Sequence, residues 1–364
     1  MEFEANVRAA PEMRFEFSLP AELEAGEPPE ARGLGRDQVR LMVSNYASGE
    51  IRHARFDDLP HFLNAGDVLV INTSRTRNAA VRARRGDGTE LELHLSSHLE
   101  DNKWSLEIRS RDAAGKTAHF DGAQSGETLS LPGGASAKLL GPHISACDPG
   151  GAISRTLWRA DVSLPLPIEE YLSQHGFPIQ YNYLKGQWPL SYFQTVYATE
   201  SGSAEMPSAG RPFTPEILER LKRGGVEIAP LILHAGVSNL ETHEPPGKEF
   251  YRVEAETARL VNEARRAGRR IVAVGTTAVR ALESVAQAQG EIHPGEGWTC
   301  LVIEATRQLQ TVDALLTGLH EADATHLDIL EALAGLSHIG AAYKEALQHR
   351  YLWHEFGDLH LIMA

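Results

Sequence analysis

Along the chain, the period of the hydrophobic positions changes as one block gives way to the next. Short apolar runs at Val39 to Val43 and Val68 to Asn72 stand between polar turns and read as strands, the second entered through Asn64-Ala65-Gly66-Asp67. From Val81 to about Trp158 apolar and polar residues alternate in short pieces, LELHL (91–95), WSLEI (104–108), ETLSL (127–131) and AKLL (137–140). DG, AAG, SG and PGG break them, a spacing that predicts a small antiparallel β-barrel or sandwich. After Leu164 the pattern turns helical at 215–224, 254–268, 277–289 and 323–335, with strand runs at 226–234, 271–275 and 299–304. Strand and helix in alternation predict an α/β core. The expected fold is a large mixed α/β domain formed by 14–80 and 159–364, with a small antiparallel β-barrel domain inserted at 81–158. Residues 1–13 read as a disordered lead-in, and Glu24 to Arg36 as a polar loop too poor in apolar residues to be core.

The segment RIVAVGTTAVRALES (270–284) carries the most specific local signal. A β-prone run stops at Gly275, two threonines follow, and an amphipathic helix begins. Such a turn aims unpaired N–H groups and the positive end of a helix dipole at whatever lies above the sheet. Thr276 and Thr277 add hydroxyls, and Arg280 follows one helical turn after Thr276. The arrangement suits a carboxylate-bearing ligand; an ordinary turn with a threonine N-cap is the equally weighted alternative.

Composition narrows the function classes. With 364 residues and 42% hydrophobic content the chain can hold two domains with real cores. A formal net charge of −14 argues against a protein that coats nucleic acid. Of two basic clusters, Arg75, Arg77, Arg82, Arg84 and Arg85 leave room for a polyanion contact, whereas Arg265, Arg266, Arg269 and Arg270 read as a solvated helix end. Two cysteines, Cys147 and Cys300, provide neither a disulfide framework nor a thiolate metal site. The acidic N-terminus lacks a secretory h-region and no run approaches a membrane span, so a cytoplasmic location is expected.

Loop segments occur in a definite order: FEFSLPAELEAGEPPEAR (15–32), GDVLVINTSR (66–75), PLP (165–167), FQTVYATESGSAEMPSAGRPFT (193–214), LHAGVSNL (233–240), VGTTAVRALES (274–284), GWT (297–299), VDALLTGLH (312–320) and FGDLHLI (356–362). This series resembles the S-adenosylmethionine:tRNA ribosyltransferase-isomerase family of queuosine biosynthesis, from about Arg14 to the C-terminus. The resemblance implies a large α/β domain carrying an inserted small β-barrel. It also implies transfer of the ribosyl part of S-adenosylmethionine to the aminomethyl group of a deazaguanine in tRNA. Adenine and methionine leave, and the ribose rearranges to an epoxycyclopentanediol. S-adenosylmethionine and tRNA are then the partners, with no metal or other cofactor, and the chain is expected to be a monomer or weak dimer.

The sequence departs from the family pattern at PSAGRPFT, where Arg211-Pro212 replaces a Leu-His pair, at Glu304 to Arg307, and at GLHEADAT, where an acidic stretch replaces a lysine. Two alternatives therefore stand beside the main reading. One is a paralogue using S-adenosylmethionine on a small-molecule acceptor. The other is a binding protein descended from the enzyme.

The chemistry asks for a carboxylate site, a purine slot, a base beside the sulfonium and an acid for adenine departure. Gly275, Thr276, Thr277 and Arg280 are the carboxylate candidates. His234 and His320 are the proton-transfer candidates, each weighed against the commoner fate of a structural histidine. Gln194, Thr195 and Tyr197 offer groups that read a purine edge, although Tyr197 also suits a core. Pro207, Ser208, Ala209 and Gly210 form a small-residue turn open to close ligand approach. Arg75 and Asp358 fall in motif positions, Asp358 alternatively orienting an arginine, while Arg211 reads as an anion contact or a surface group. Glu283 reads as the ion-pair partner of Arg280, three residues away on one helix face. The histidine spacings match no metal motif, so no metal is expected, and the lone GTT turn is not a dinucleotide fingerprint.

Overall fold

The structure is a computed structural model that describes residues 16–99, 102–112, 115–145, 147, 153–237, 247–322 and 324–364. The expected lead-in at 1–13 lies outside these residues, as do the last three positions of LHAGVSNL.

A nine-stranded sheet forms the frame. Its order is Gly295–Thr299, Glu249–Val253, Glu227–Leu233, Val68–Asn72, Ile271–Val274, Ala314–Gly318, Leu359–Met363, Arg40–Asn45 and Ile51–Arg55. The strands Glu227–Leu233, Val68–Asn72, Ile271–Val274 and Ala314–Gly318 run parallel to one another, as crossover helices require. Val68–Asn72, Ile271–Val274 and Ala314–Gly318 are buried along their whole length and read as continuous apolar runs because both sheet faces are covered. Helices Ala255–Arg266 and Thr276–Val285 pack with Val68, Val70, Ile271 and Ala273 on one face. Helix Pro215–Arg223 packs with Leu69, Ile71, Val272 and Val274 on the other. The mixed α/β class is therefore as expected.

A second, antiparallel sheet takes up the alternating block. Ala80–Arg84, Glu90–His98, Lys103–Arg111, Ile153–Ser163, Ser136–Ile144 and Thr128–Ser130 pair in that cyclic order, and the ring closes between Thr128–Ser130 and Ala80–Arg84. Its inward positions, among them Val81, Leu93, Leu106, Leu129, Leu139 and Val162, form a separate core.

Several expectations fail in detail. The strand expected at 299–304 is Gly295–Thr299, and strands Glu249–Val253 and Leu359–Met363 had no clear signal. The loop at Glu24 to Arg36 is not all solvent-facing: Ala25 joins Phe193, Met206 and Phe356 in a small core, because those aromatics supply the apolar surface the loop lacks. Cys147 and Cys300 are joined as a disulfide across 153 residues of chain, with Cα atoms 5.0 Å apart; the fold brings together what sequence distance had kept apart. The basic clusters are largely paired. Arg82, Arg84 and Arg85 face Glu92, Glu90 and Glu127, Arg270 faces Asp67, and Arg265 donates to the carbonyls of Gln310 and Gln289.

Candidate active site

A cleft opens at the carboxyl ends of the parallel strands, the place where open α/β sheets bind ligands. Strand Ile271–Val274 ends in Gly275, whose φ of 82° and ψ of 156° are accessible to glycine and strained for other residues. Helix Thr276–Val285 then starts with its N-terminus at the cleft, Gly275, Thr276 and Thr277 forming part of the wall. Gly275 is the N-cap, so the threonines occupy the first two helical positions rather than the cap. Thr277 Oγ1 accepts a hydrogen bond from Asn72 Nδ2 at 3.2 Å, which ties the turn to the neighbouring strand.

Strand Ala314–Gly318 delivers Thr317 and Gly318, and the following loop delivers His320 and Glu321. His320 Nε2 lies 2.9 Å from Thr317 Oγ1, and its ring stacks on that of His326, centroids 4.5 Å apart. Pro207, Ser208 and Ala209 face them from the small-residue turn. Tyr181, Tyr183, Glu205, His354 and Glu355 complete the opposite wall. Tyr181 donates to Glu205, and Tyr183 donates to Glu355 Oε2 at 2.5 Å. His354 stacks on Tyr183, centroids 4.2 Å apart.

Electrostatically the cleft favours neutral imidazoles and a protonatable carboxyl. Burial pushes His320 well below its ordinary value, with His326 and His354 adding to the shift. Burial takes His326 down to about 4, helped by Arg280, and takes His354 down to about 4. Burial pushes the Glu355 carboxyl up to about 7; the Tyr183 hydrogen bond opposes this and the charge of Glu205 adds to it. A carboxyl in that range exchanges protons near neutrality.

Of the residues singled out from sequence, Pro207, Ser208, Ala209, Gly275, Thr276, Thr277 and His320 line the cleft. The others do not. Arg280 does not line it: Nη1 is bound by Glu249 and Nε donates to the Leu301 carbonyl at 2.9 Å, while Nη2 is buried without a hydrogen-bond partner among the described residues. Its expected partner Glu283 instead accepts from the backbone N–H groups of Gln310 and Thr311 and from the Thr311 hydroxyl, so no Arg280–Glu283 helical pair forms. His234 bonds through Nδ1 to Ser74 Oγ at 2.7 Å, while its neighbour Ala235 reaches the cleft. Burial lowers its pKa, partly offset by Glu200.

Gln194 pairs both ends of its amide with the Thr76 backbone and does not reach the cleft wall. Tyr197 packs on Phe213 with its hydroxyl over Gly210, and Thr195 is buried. Asp358 clamps Arg40 and the Leu352 N–H, the orienting role that was its alternative. Arg75 is exposed on the short strand Ser74–Thr76. Arg211, far from being a surface group, is buried against Phe356 and paired with both oxygens of Glu30.

Sequence reasoning missed Tyr181, Tyr183, Glu205, Glu321, His326, His354 and Glu355 as site residues. Glu205 had a usable signal, lying two residues before the Pro207 turn, and Glu355 borders the FGDLHLI segment. The tyrosines sit in a stretch without periodicity and gave none.

A sequence description of the family named "Queuosine biosynthesis protein" matches residues 12–362. The chain belongs to this family. It is 39% identical over 359 residues to a Symbiobacterium thermophilum protein named S-adenosylmethionine:tRNA ribosyltransferase-isomerase, covering 96% of this chain and 98% of that one. A Thermotoga maritima protein of the same name is 36% identical over 357 residues, with the same coverage. The crystal structure of S-adenosylmethionine tRNA ribosyltransferase from Thermotoga maritima is similar in fold, with a TM-score of 0.52 at 30% identity, covering 96% of this chain and 99% of that one. The motif series read from sequence thus marks a true family member across nearly its whole length.

Proposed function

We propose that this chain transfers and isomerises the ribosyl moiety of S-adenosylmethionine onto the aminomethyl-deazaguanine of tRNA, giving epoxyqueuosine-tRNA with release of adenine and methionine. The observation that carries the reading is the near end-to-end match to relatives that bear that one name, at 36% and 39% identity. Correspondence over the full length favours the family reaction over a small-molecule paralogue or a binding descendant.

The cleft supports a division of labour. The Gly275 turn offers N–H groups and hydroxyls to a carboxylate, the role sequence had shared with Arg280. Glu355 is the proton carrier, because burial holds it at about 7 and Tyr183 fixes its orientation. His320, kept neutral and hydrogen-bonded to Thr317, acts as a neutral donor or acceptor beside it. His234 positions the turn at Ala235 through Ser74 and Ser203. No metal or further cofactor enters this scheme.

The closed ring of antiparallel pairings supports reading the alternating block as a small barrel inserted in the larger domain, its last strand carrying the boundary on to Ser163. A cytoplasmic monomer or weak dimer completes the reading; among the described residues no helix is long and apolar enough to cross a membrane.

The test is to incubate the protein with S-adenosylmethionine, with and without tRNA bearing the aminomethyl-deazaguanine, and follow adenine and methionine by chromatography. Adenine released only with that tRNA is the expected result. Release without tRNA, or none at all, overturns the reading.

A further inference from the structure

The cleft that must take two ammonium-bearing reactants has an uneven charge distribution. Among the described residues its wall includes Glu205, Glu321 and Glu355, the histidines His320, His326 and His354, and no lysine or arginine. At one corner His354 Nε2 lies 3.6 Å from Glu24 Oε1 and 3.7 Å from Glu321 Oε1. The three atoms lie within 4.8 Å of one another. The His354 side chain is only 7% exposed, yet among the described residues Nε2 has no hydrogen-bond partner. A buried ring nitrogen without a partner is costly unless something else satisfies it.

The corner is built in advance. Glu24 forms an isolated parallel bridge with Trp353; the Trp353 N–H donates to Leu23 O at 2.8 Å, and Ala25 N–H to Trp353 O at 3.1 Å. His354 itself holds a φ of 70°, which a non-glycine residue adopts at a cost. The ring is fixed on its other side by the Tyr183 face.

We propose that Glu24, Glu321 and His354 form a pocket for a primary ammonium group. The inference rests on the reading given under Proposed function, in which both reactants carry such a group: the α-ammonium of S-adenosylmethionine and the aminomethyl group of the acceptor base. An ammonium has three N–H donors in tetrahedral directions; at about 2.8 Å each they call for acceptors roughly 4.6 Å apart. Two carboxylate oxygens and one unprotonated imidazole nitrogen supply three acceptors; at 3.6 and 3.7 Å from that nitrogen the oxygens stand closer than this, and a small rotation of the two glutamate side chains opens the corner to the ammonium. Burial keeps that nitrogen unprotonated at neutral pH, since it takes His354 down to about 4. Tyr183 then links the pocket to Glu355, the proton carrier proposed above. Glu321 adds selection against anions at this corner.

Calorimetry on the wild-type protein with S-adenosylmethionine and with its deaminated analogue tests the donor arm without any turnover. Glu24→Gln and Glu321→Gln are titrated in parallel, each checked by thermal melting. If the donor's ammonium occupies the corner, the deaminated analogue binds about ten- to a hundredfold more weakly, and Glu321→Gln removes that difference. If the acceptor's ammonium occupies it, donor binding is unchanged in the variants. Binding of aminomethyl-deazaguanine tRNA, followed by fluorescence anisotropy, then weakens about tenfold or more, while tRNA with a hydroxymethyl in place of the aminomethyl binds alike to all forms. Either pattern supports the pocket. Unchanged binding in both arms overturns it, as does stoichiometric binding of Zn2+ or Mn2+ to the substrate-free protein that Glu321→Gln abolishes. Because every arm reads binding, absence of adenine release would sink the proposed reaction while leaving this test intact.

Discussion

His94 is fully buried in the second sheet and His326 lines the cleft half-buried, and their imidazoles are driven in opposite directions. Burial alone would lower His94, but hydrogen bonds to Glu107 and Glu92, 3.1 and 2.9 Å away, outweigh it and push the group up to about 9. Glu92 is in turn met by Arg82 and Arg111, and Glu107 by Arg109. Among the described residues no carboxylate pairs with His326, which is held down at about 4 by burial and by Arg280. The difference teaches that burial sets only the size of the stakes. Which charges face the ring decides whether it becomes a fixed cation that pins strands together or a neutral group available to a ligand.

The largest expected effect lies on the cleft side. Glu355→Gln removes the proposed proton carrier while keeping shape and the Tyr183 contact, and adenine release with the tRNA substrate should fall about 10²- to 10⁴-fold. The melting temperature should barely move; a loss smaller than tenfold would take Glu355 out of the chemistry. Its mirror image is His94→Leu. This change leaves Glu92 and Glu107 buried beside each other with one cation fewer, and should cost about 3 kcal/mol in denaturant unfolding. An unchanged midpoint would mean that the arginines alone satisfy the carboxylates.

The pH dependence of stability sharpens the contrast. His94 has a folded pKa raised above its ordinary 6.5, so its contribution is fully present below 6.5 and is lost as the pH rises through about 9. Counting the His94–glutamate coupling once, the loss amounts to roughly 3 kcal/mol. His326 and His354 have folded values depressed to about 4, so the unfolded chain binds more protons than the folded one below 6.5. Their effect is therefore stability lost as the pH falls from 6.5 toward 4. Unfolding free energies measured from pH 4 to 10 should peak near 6 to 7. His94→Leu should flatten the alkaline limb and His326→Asn the acid limb. A wild-type curve still rising above pH 8 would contradict the assignment of His94.

The smallest effect is expected at the turn. Gly275→Ala places a Cβ at a φ of 82°, where it costs about 1 to 3 kcal/mol of strain. Space is not the obstacle, since that Cβ would meet Ala209 Cβ at an ordinary 3.5 Å. Thermal melting and donor binding should weaken together; a fully stable variant would show that the turn relaxes without the positive φ.

The fold class and most of the scaffold were legible in the chain because they follow from periodicity and punctuation. Val68–Asn72, Ile271–Val274 and the GTT turn announce themselves by an apolar run ended by glycine, and the alternating block at 91–140 by its period of two. The motif series identified the family, and with it the reaction now proposed. About a third of the cleft wall was legible for the same reason: Pro207 to Ala209, Gly275 to Thr277 and His320 sit where elements end, and ends of elements carry recognisable residues. The rest was decided by contacts between residues well apart along the chain, 31 positions for Arg280 with Glu249 and 181 for Arg211 with Glu30. Arg280 and Arg211 looked available from their local sequence, but Glu249 and Glu30 claim them. His354, Tyr183 and Glu24 had no local signature, because what makes them a site is that a bridge between Glu24 and Trp353 brings two distant segments side by side. Period and turn chemistry act over a few residues and are written in order along the chain. Pairing of charges and exclusion of water act through space, and only the folded chain says which groups meet.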